Sequence, residues 1–254
     1  ASPRTHIELE ADLLAAIDRD EIEILFQPQF SLSDDSVVGA EALARWHHPI
    51  VGEIGADTLF QIAERADHVA QLSRHIAERA LTKATAWRPD IRLSINITPS
   101  DLAADNFATD FAQMAKRRGF PLSRITLEIT EQVLLAETDR VERVLQRLKA
   151  LGVSIALDDF GAGFCNFHYL KVLPIDFLKL DRSMLAGVLA NSRDRAVFRA
   201  IMGMAKALDL RVLVEGVETE EQRAFIAAED CAYYQGFLRA GALPDVTFRE
   251  MATA

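Results

Sequence analysis

The sequence predicts an α/β fold in which repeated strand-helix units close into a barrel, with a β-hairpin at the N-terminal end. Three observations predict it. Short apolar strands alternate with segments of helical period along all 254 residues. No Pro/Gly/Ser-rich linker, low-complexity tract or repeat divides the chain, so residues 1–254 are expected to form one domain. Several strands also carry polar residues on one face only, near their C-terminal ends, where barrel enzymes place their sites. An open doubly wound sheet is the competing architecture, and the lack of a full Gly-x-Gly-x-x-Gly turn after any strand counts against it.

The elements follow in order. Apolar residues at helical spacing (Ile7, Leu13, Leu14, Ile17) predict a helix from His6 to Ile17. Strands from Ile22 to Phe30 and from Val37 to Trp46 flank a polar turn, Ser31 to Ser36, and read as a hairpin. Helices are expected over Leu59 to Ala66 and Ala70 to Ala86, a strand over Ile91 to Ile97, and a helix over Asp101 to Lys116. A strand from Ile125 to Thr130 and a helix from Asp139 to Leu151 come next, followed by the apolar run Val153 to Leu157. A strand from Phe177 to Asp181, a helix from Arg193 to Leu208, a strand from Val212 to Glu215, a helix from Glu220 to Ala228 and a strand-like Tyr233 to Leu238 complete the alternation.

The run Val153 to Leu157 ends in two adjacent carboxylates, Asp158 and Asp159. Neighbouring strand residues face opposite ways, so both can serve one site only if the backbone turns, and Gly161 and Gly163 permit a turn. Adjacent negative charges call for a cation, and hard divalent ions with oxygen ligands are the first candidates. Taken alone, the pair reads rather as a helix cap beside a solvated acid, because such dipeptides are common and the boundary residues suit capping. Strand parity adds weight. Glu41, Leu43 and Arg45 share a face opposite alanines, Ser94 and Asn96 oppose Leu93, Ile95 and Ile97, and Thr126, Glu128 and Thr130 oppose Ile125, Leu127 and Ile129. Lys179 lies between Leu178 and Leu180, and Glu215 closes an apolar strand. Acids and amides on so many inward faces, where branched aliphatics are normal, amount to a site.

Composition excludes some partners. A formal charge of −10 does not suit binding to long nucleic-acid strands, which relies on neutralising many phosphates. Cys165 and Cys231, the two cysteines, have no zinc-like spacing and suit a reducing compartment. No apolar run is long enough to span a bilayer and the start does not read as a signal peptide, so a cytoplasmic domain without direct membrane insertion is expected. The Ala-Ser-Pro opening reads as a domain excised from a longer protein, which itself could be membrane-anchored.

At these residues the chain resembles the EAL family of bacterial cyclic di-GMP phosphodiesterases. The resemblance rests on Gln27-Pro28, on Glu41-Ala42-Leu43 within Glu-Ala-Leu-Ala-Arg-Trp-His-His-Pro, on Asn96 in Ser-Ile-Asn-Ile, and on Glu-Ile-Thr-Glu from Glu128 to Glu131. It continues through Asp158-Asp159-Phe160-Gly161, Lys179 in Leu-Lys-Leu-Asp, Glu215-Gly216-Val217-Glu218-Thr219 and Gln235-Gly236, in family order over nearly the whole chain. It implies a TIM-like (β/α)₈ barrel with one antiparallel strand near the N-terminus, and hydrolysis of cyclic di-GMP to linear pGpG by two-metal activation of water. It implies Mg²⁺ or Mn²⁺, two ions per site, held by Glu41, Asn96, Glu128, Asp158, Asp159 and Glu215. Lys179, Glu215, Asp158 and Asp159 would be catalytic; Gln27, Leu43, Arg45, Glu218 and Gln235 would contact substrate. A homodimer is also implied, coupled to the site through Glu131, Phe164, Phe167 and Tyr169, as is an upstream sensory or GGDEF-type domain. The segment from Phe160 to Phe167 departs from the family's usual Phe-Gly-Thr-Gly-Tyr-Ser-Ser-Leu, which bears on regulation and rate rather than on the ligands.

Rival readings stay open at this point. Asp159-Phe160-Gly161 also occurs in protein kinases, but no Gly-rich or His-Arg-Asp loop precedes it. His47-His48 lacks a third ligand nearby and reads as packing or surface. A cyclic di-GMP sensor without turnover, and an enolase-like barrel using a lysine base, are the other function classes; a sensor would be expected to have lost Glu41 or Lys179.

Overall fold

The computed structural model describes the backbone of residues 6–130, 138–163 and 167–253, and the side chains of these apart from residues 6, 7, 138, 167 and 168. Eight strands close a barrel: β1 (Ile22–Ser31), β2 (Val37–His48), β4 (Arg92–Asn96), β5 (Ile125–Thr130), β6 (Ser154–Phe160), β7 (Phe177–Leu180), β8 (Arg211–Val214) and β9 (Tyr233–Tyr234). A ninth, β3 (Gly52–Gly55), pairs with the far end of β2 outside the ring. From β2 to β9 the ring is parallel, and β1 runs against both of its neighbours, so the N-terminal hairpin supplies the antiparallel strand.

The outer faces of the strands pack beneath α2 (Ala56–Arg65), α3 (Val69–Ala84), α5 (Phe107–Arg118), α6 (Thr138–Ala150), α8 (Ser192–Ala207) and α9 (Glu220–Ala228). On β2 that face is Ala40, Ala42 and Ala44, all buried, and the missing side-chain volume lets α2 and α3 lie close to the sheet. α1 (His6–Asp18) packs on α2, and Trp46 Nε1 donates to Glu21 just beyond its end. Phe26 on β1 meets Trp87 edge-on at 4.7 Å, and Trp87 meets Phe248 at 4.6 Å, so that α10 (Asp245–Thr253) seals the seam over β1.

Three expectations are corrected. The helix read as continuous from Asp101 to Lys116 is two: α4 (Pro99–Leu102), started by a capping box in which Thr98 and Asp101 satisfy each other's backbone N–H, and α5 after a turn. β3 and α10 were not anticipated, because four residues of Gly-Glu-Ile-Gly and a short C-terminal segment carry little period. The last strand is two residues long and ends before Gln235. Phe160 ends β6 fully buried, and Tyr169 and Leu170 lie buried in α7 (Phe167–Val172).

Gly236 shows how tightly the chain just beyond the last strand is seated. A Cβ at this position would lie 2.2 Å from the Val217 carbonyl oxygen and 2.3 Å from its nitrogen, backbone atoms that cannot swing aside. Gly236→Ala is therefore expected to cost about 2 kcal/mol or more and to lower Tm by roughly 4–8 °C. A thermal melt unchanged from wild type would show that the two segments can separate freely.

Candidate active site

The site is built by strand ends. Inward parity carries Glu41 from β2, Asn96 from β4, Glu128 from β5, Asp158 from β6 and Lys179 from β7 to one level of the barrel, with Glu215 and Gln235 immediately after β8 and β9. The Lys179 ammonium sits at the centre, 99% buried. Its Nζ lies 3.1 Å from Glu41 Oε2, 2.5 Å from Glu128 Oε2, 3.0 Å from Asp158 Oδ2 and 3.0 Å from Glu215 Oε1. Asn96 Nδ2 donates to Glu41 Oε1 at 2.9 Å, and Gln235 Nε2 donates to Glu41 Oε2 at 2.9 Å and to Glu215 Oε1 at 2.8 Å.

The two adjacent aspartates reach the site together through an unusual backbone. The strand does not stop at Leu157; it continues to Phe160 across a register shift, and Asp159 itself takes the left-handed conformation at φ 55°. A non-glycine residue there is strained by about 1–3 kcal/mol, and the strain lets neighbouring side chains point to the same site. Gly161, at φ 100°, completes the turn. Asp158 Oδ1 accepts the Asp159 N–H at 2.9 Å, which locks the pair.

Carboxylate oxygens of Glu41, Glu128 and Asp158 lie within 4.8 Å of one another, and so do those of Asp158, Asp159 and Glu215. Asp158 belongs to both groups. Four of these five carboxylates thus surround one ammonium, with Asp159 beside them. Burial foremost, together with mutual repulsion, raises Glu128 well above the ordinary carboxylate range and pushes Glu215 up to about 8, with Asp158 and Asp159 also raised. Glu41 moves the other way: burial would raise it, but Lys179 and the amides of Gln235 and Asn96 override that. For Lys179, burial would favour the neutral form, but Asp158, Glu128, Glu215 and Glu41 hold the ammonium well above its usual value. Glu128 Oε1 is buried and has no hydrogen-bond partner among the described residues.

This donor set fits hard divalent cations. It offers only oxygen ligands, excess negative charge, one orphaned buried oxygen and two carboxylate groups that share a residue.

The remaining predicted residues are placed as follows. Gln27 stands opposite Glu41 in the β1–β2 ladder, on the same inward face; Leu43 stands opposite Leu25. Arg45 stands opposite Glu23 one turn of pleat beyond, its guanidinium donating to the Ala44 carbonyl and lying 3.9 Å from Glu53. Glu218 is exposed beside the capping box that starts α9, where Gln222 Oε1 accepts its N–H at 2.8 Å. Glu131, Phe164 and the Phe167 side chain lie outside the described residues, and Tyr169 is buried. Gln29 was missed. It lies two residues beyond Gln27, so the same parity could have found it, and its Nε2 contacts Gln235 Oε1 at 3.3 Å and Ser94 Oγ at 3.4 Å beneath the acids.

The EAL domain family model matches residues 10–242. Over 252 residues the chain is 34% identical to NbdA, a cyclic di-GMP phosphodiesterase of Pseudomonas aeruginosa, covering 98% of this chain and 32% of that protein. It is 37% identical over 234 residues to an uncharacterized signaling protein of Caulobacter vibrioides, covering 92% of this chain and 29% of the relative. The chain thus spans about a third of the length of these curated relatives. Among solved structures, the EAL enzyme Bd1971 bound to cAMP and cyclic di-GMP superposes with a TM-score of 0.91 at 27% identity, covering 97% of this chain and 69% of that one. The PaMucR phosphodiesterase in complex with cyclic di-GMP superposes with a TM-score of 0.88 at 29% identity, covering 95% and 99%.

Proposed function

The chain belongs to the EAL domain family, and from that premise we propose that it hydrolyses cyclic di-GMP to linear pGpG with two divalent ions, Mg²⁺ or Mn²⁺. The observation that carries this reading is the pair of carboxylate groups sharing Asp158, with the Asn96 amide beside them. Glu41, Asn96, Glu128, Asp158, Asp159 and Glu215 would hold the ions. When bound, such ions supply a water of lowered pKa and offset the charge that builds on phosphoryl and leaving oxygens. The protein's own groups do the rest. Lys179, held charged by its four acids, orients the nucleophile's surroundings or grips a phosphate oxygen, and its position fixes Glu41, Glu128, Asp158 and Glu215 relative to one another. Gln235 steers Glu41 and Glu215, while Gln27, Leu43, Arg45 and Glu218 line the way in for the substrate.

Association as a homodimer near Glu131 and the segment from Phe164 to Tyr169, and an upstream sensory or GGDEF-type domain, belong to the same proposal. The buried position of Tyr169 means that Tyr169→Asp would damage the core rather than report on assembly.

The test is incubation with cyclic di-GMP followed by separation of products. Mg²⁺ or Mn²⁺ should yield pGpG, chelation should abolish it, and Ca²⁺ should support binding without turnover, because its looser geometry misplaces the reacting groups. Tight binding without product at every metal concentration would make the domain a sensor.

A further inference from the structure

The side chain of Phe237 is 75% exposed, the most exposed of the large hydrophobic side chains among the described residues. It stands on a rigid arch at the barrel mouth. The arch begins at Gln235, whose amide bonds Glu41 and Glu215, and ends at Leu243, which exchanges backbone hydrogen bonds with Phe26, the neighbour of Gln27. It therefore spans the gap between the end of β9 and β1, beside two residues of the site. Its conformation is fixed at several points. Gly236 abuts the Val217 backbone, Leu238 N–H donates to Val217 at 2.9 Å, Ala240 N–H donates to Gly236, and Arg239 is held by Asp35 and Glu220. The Phe237 ring rests on Gly241, where a Cβ would lie 2.8 Å from Cε1, so the absence of a side chain there makes room for it.

An aromatic ring that a rigid backbone holds out of the core, two residues beyond the site's Gln235, offers a π-face to a ligand at little ordering cost. We infer that Phe237 is a stacking platform for one purine base of the substrate and so a determinant of substrate affinity. The inference rests on the proposed cyclic di-GMP reading. Stacking reads the π-face and not the hydrogen-bonding edge, so this contact favours purines for their area, and Gln27, Arg45 and Gln235 are left to engage the polar groups.

Steady-state kinetics on Phe237→Ala and Phe237→Trp in the intact domain test the inference, and both variants should fold, because the side chain is exposed. Phe237→Ala should raise KM for cyclic di-GMP about tenfold with kcat within about twofold of wild type, and Phe237→Trp should restore or lower KM. An unchanged KM in Phe237→Ala, beside an active wild type, would overturn the stacking role alone. A wild type that neither binds nor cleaves cyclic di-GMP would overturn the proposed function, and the stacking role with it.

Discussion

Asp158→Asn should lose at least about a thousandfold in kcat and should melt at the same temperature with and without Mn²⁺. Asp158 is the residue common to both carboxylate groups, and its Oδ2 also bonds Lys179. The substitution keeps the shape, removes one negative charge and replaces one ligand oxygen by a donor, so both cation positions weaken together. Loss of an acid belonging to one group alone, as in Glu128→Gln, should leave part of the thermal shift. A thousandfold corresponds to about 4 kcal/mol of transition-state stabilisation, within what metal-assisted charge neutralisation supplies. If Asp158→Asn kept a wild-type Mn²⁺ shift, the shared residue would not be a ligand.

Lys179→Met should separate the electrostatic and the catalytic roles of the central ammonium. In metal-free protein, the substitution leaves four buried or half-buried carboxylates, and the exposed Asp159 beside them, with no cation among them, and removing one partner of a buried ion pair costs about 3–5 kcal/mol. A fall in Tm of about 10 °C is expected. Divalent ions should restore more of that loss in the variant than they add to wild type, because they supply the missing positive charge. Turnover should still fall about a hundredfold with KM little changed, since the lysine's place among the acids is suited to the transition state rather than to holding ground-state substrate. A raised KM with unchanged kcat would reduce Lys179 to a phosphate grip.

Strand parity made most of the site legible, because a period of two is a strict geometric rule. Glu41, Asn96, Glu128 and Lys179 each occupy an inward position between outward aliphatics or alanines, and the structure brings them together. What parity could not supply was the backbone at Asp159. Two adjacent residues meet in one site only through a left-handed residue, and the glycines nearby drew attention to themselves when the aspartate also carries the turn. Gln29 was legible and overlooked; its parity matches that of Gln27, but its role depends on Ser94 and Gln235, 65 and 206 residues away in sequence. The burial of Phe160 and Tyr169 was not legible for a different reason. Composition states how much apolar surface a segment has, and only the three-dimensional path shows that Phe160 and Tyr169 spend it on the core. The break between α4 and α5 lies at Ala103 to Asn106, where helix propensity is adequate and the tertiary path of the chain decides.

If the two carboxylate groups that share Asp158 hold two divalent ions, calorimetric titration of metal-free protein with Mn²⁺ will register both. Two ions per chain are predicted in wild type, falling to one or none in Asp158→Asn. A wild-type stoichiometry of one, unchanged by the substitution, would contradict the two-ion reading.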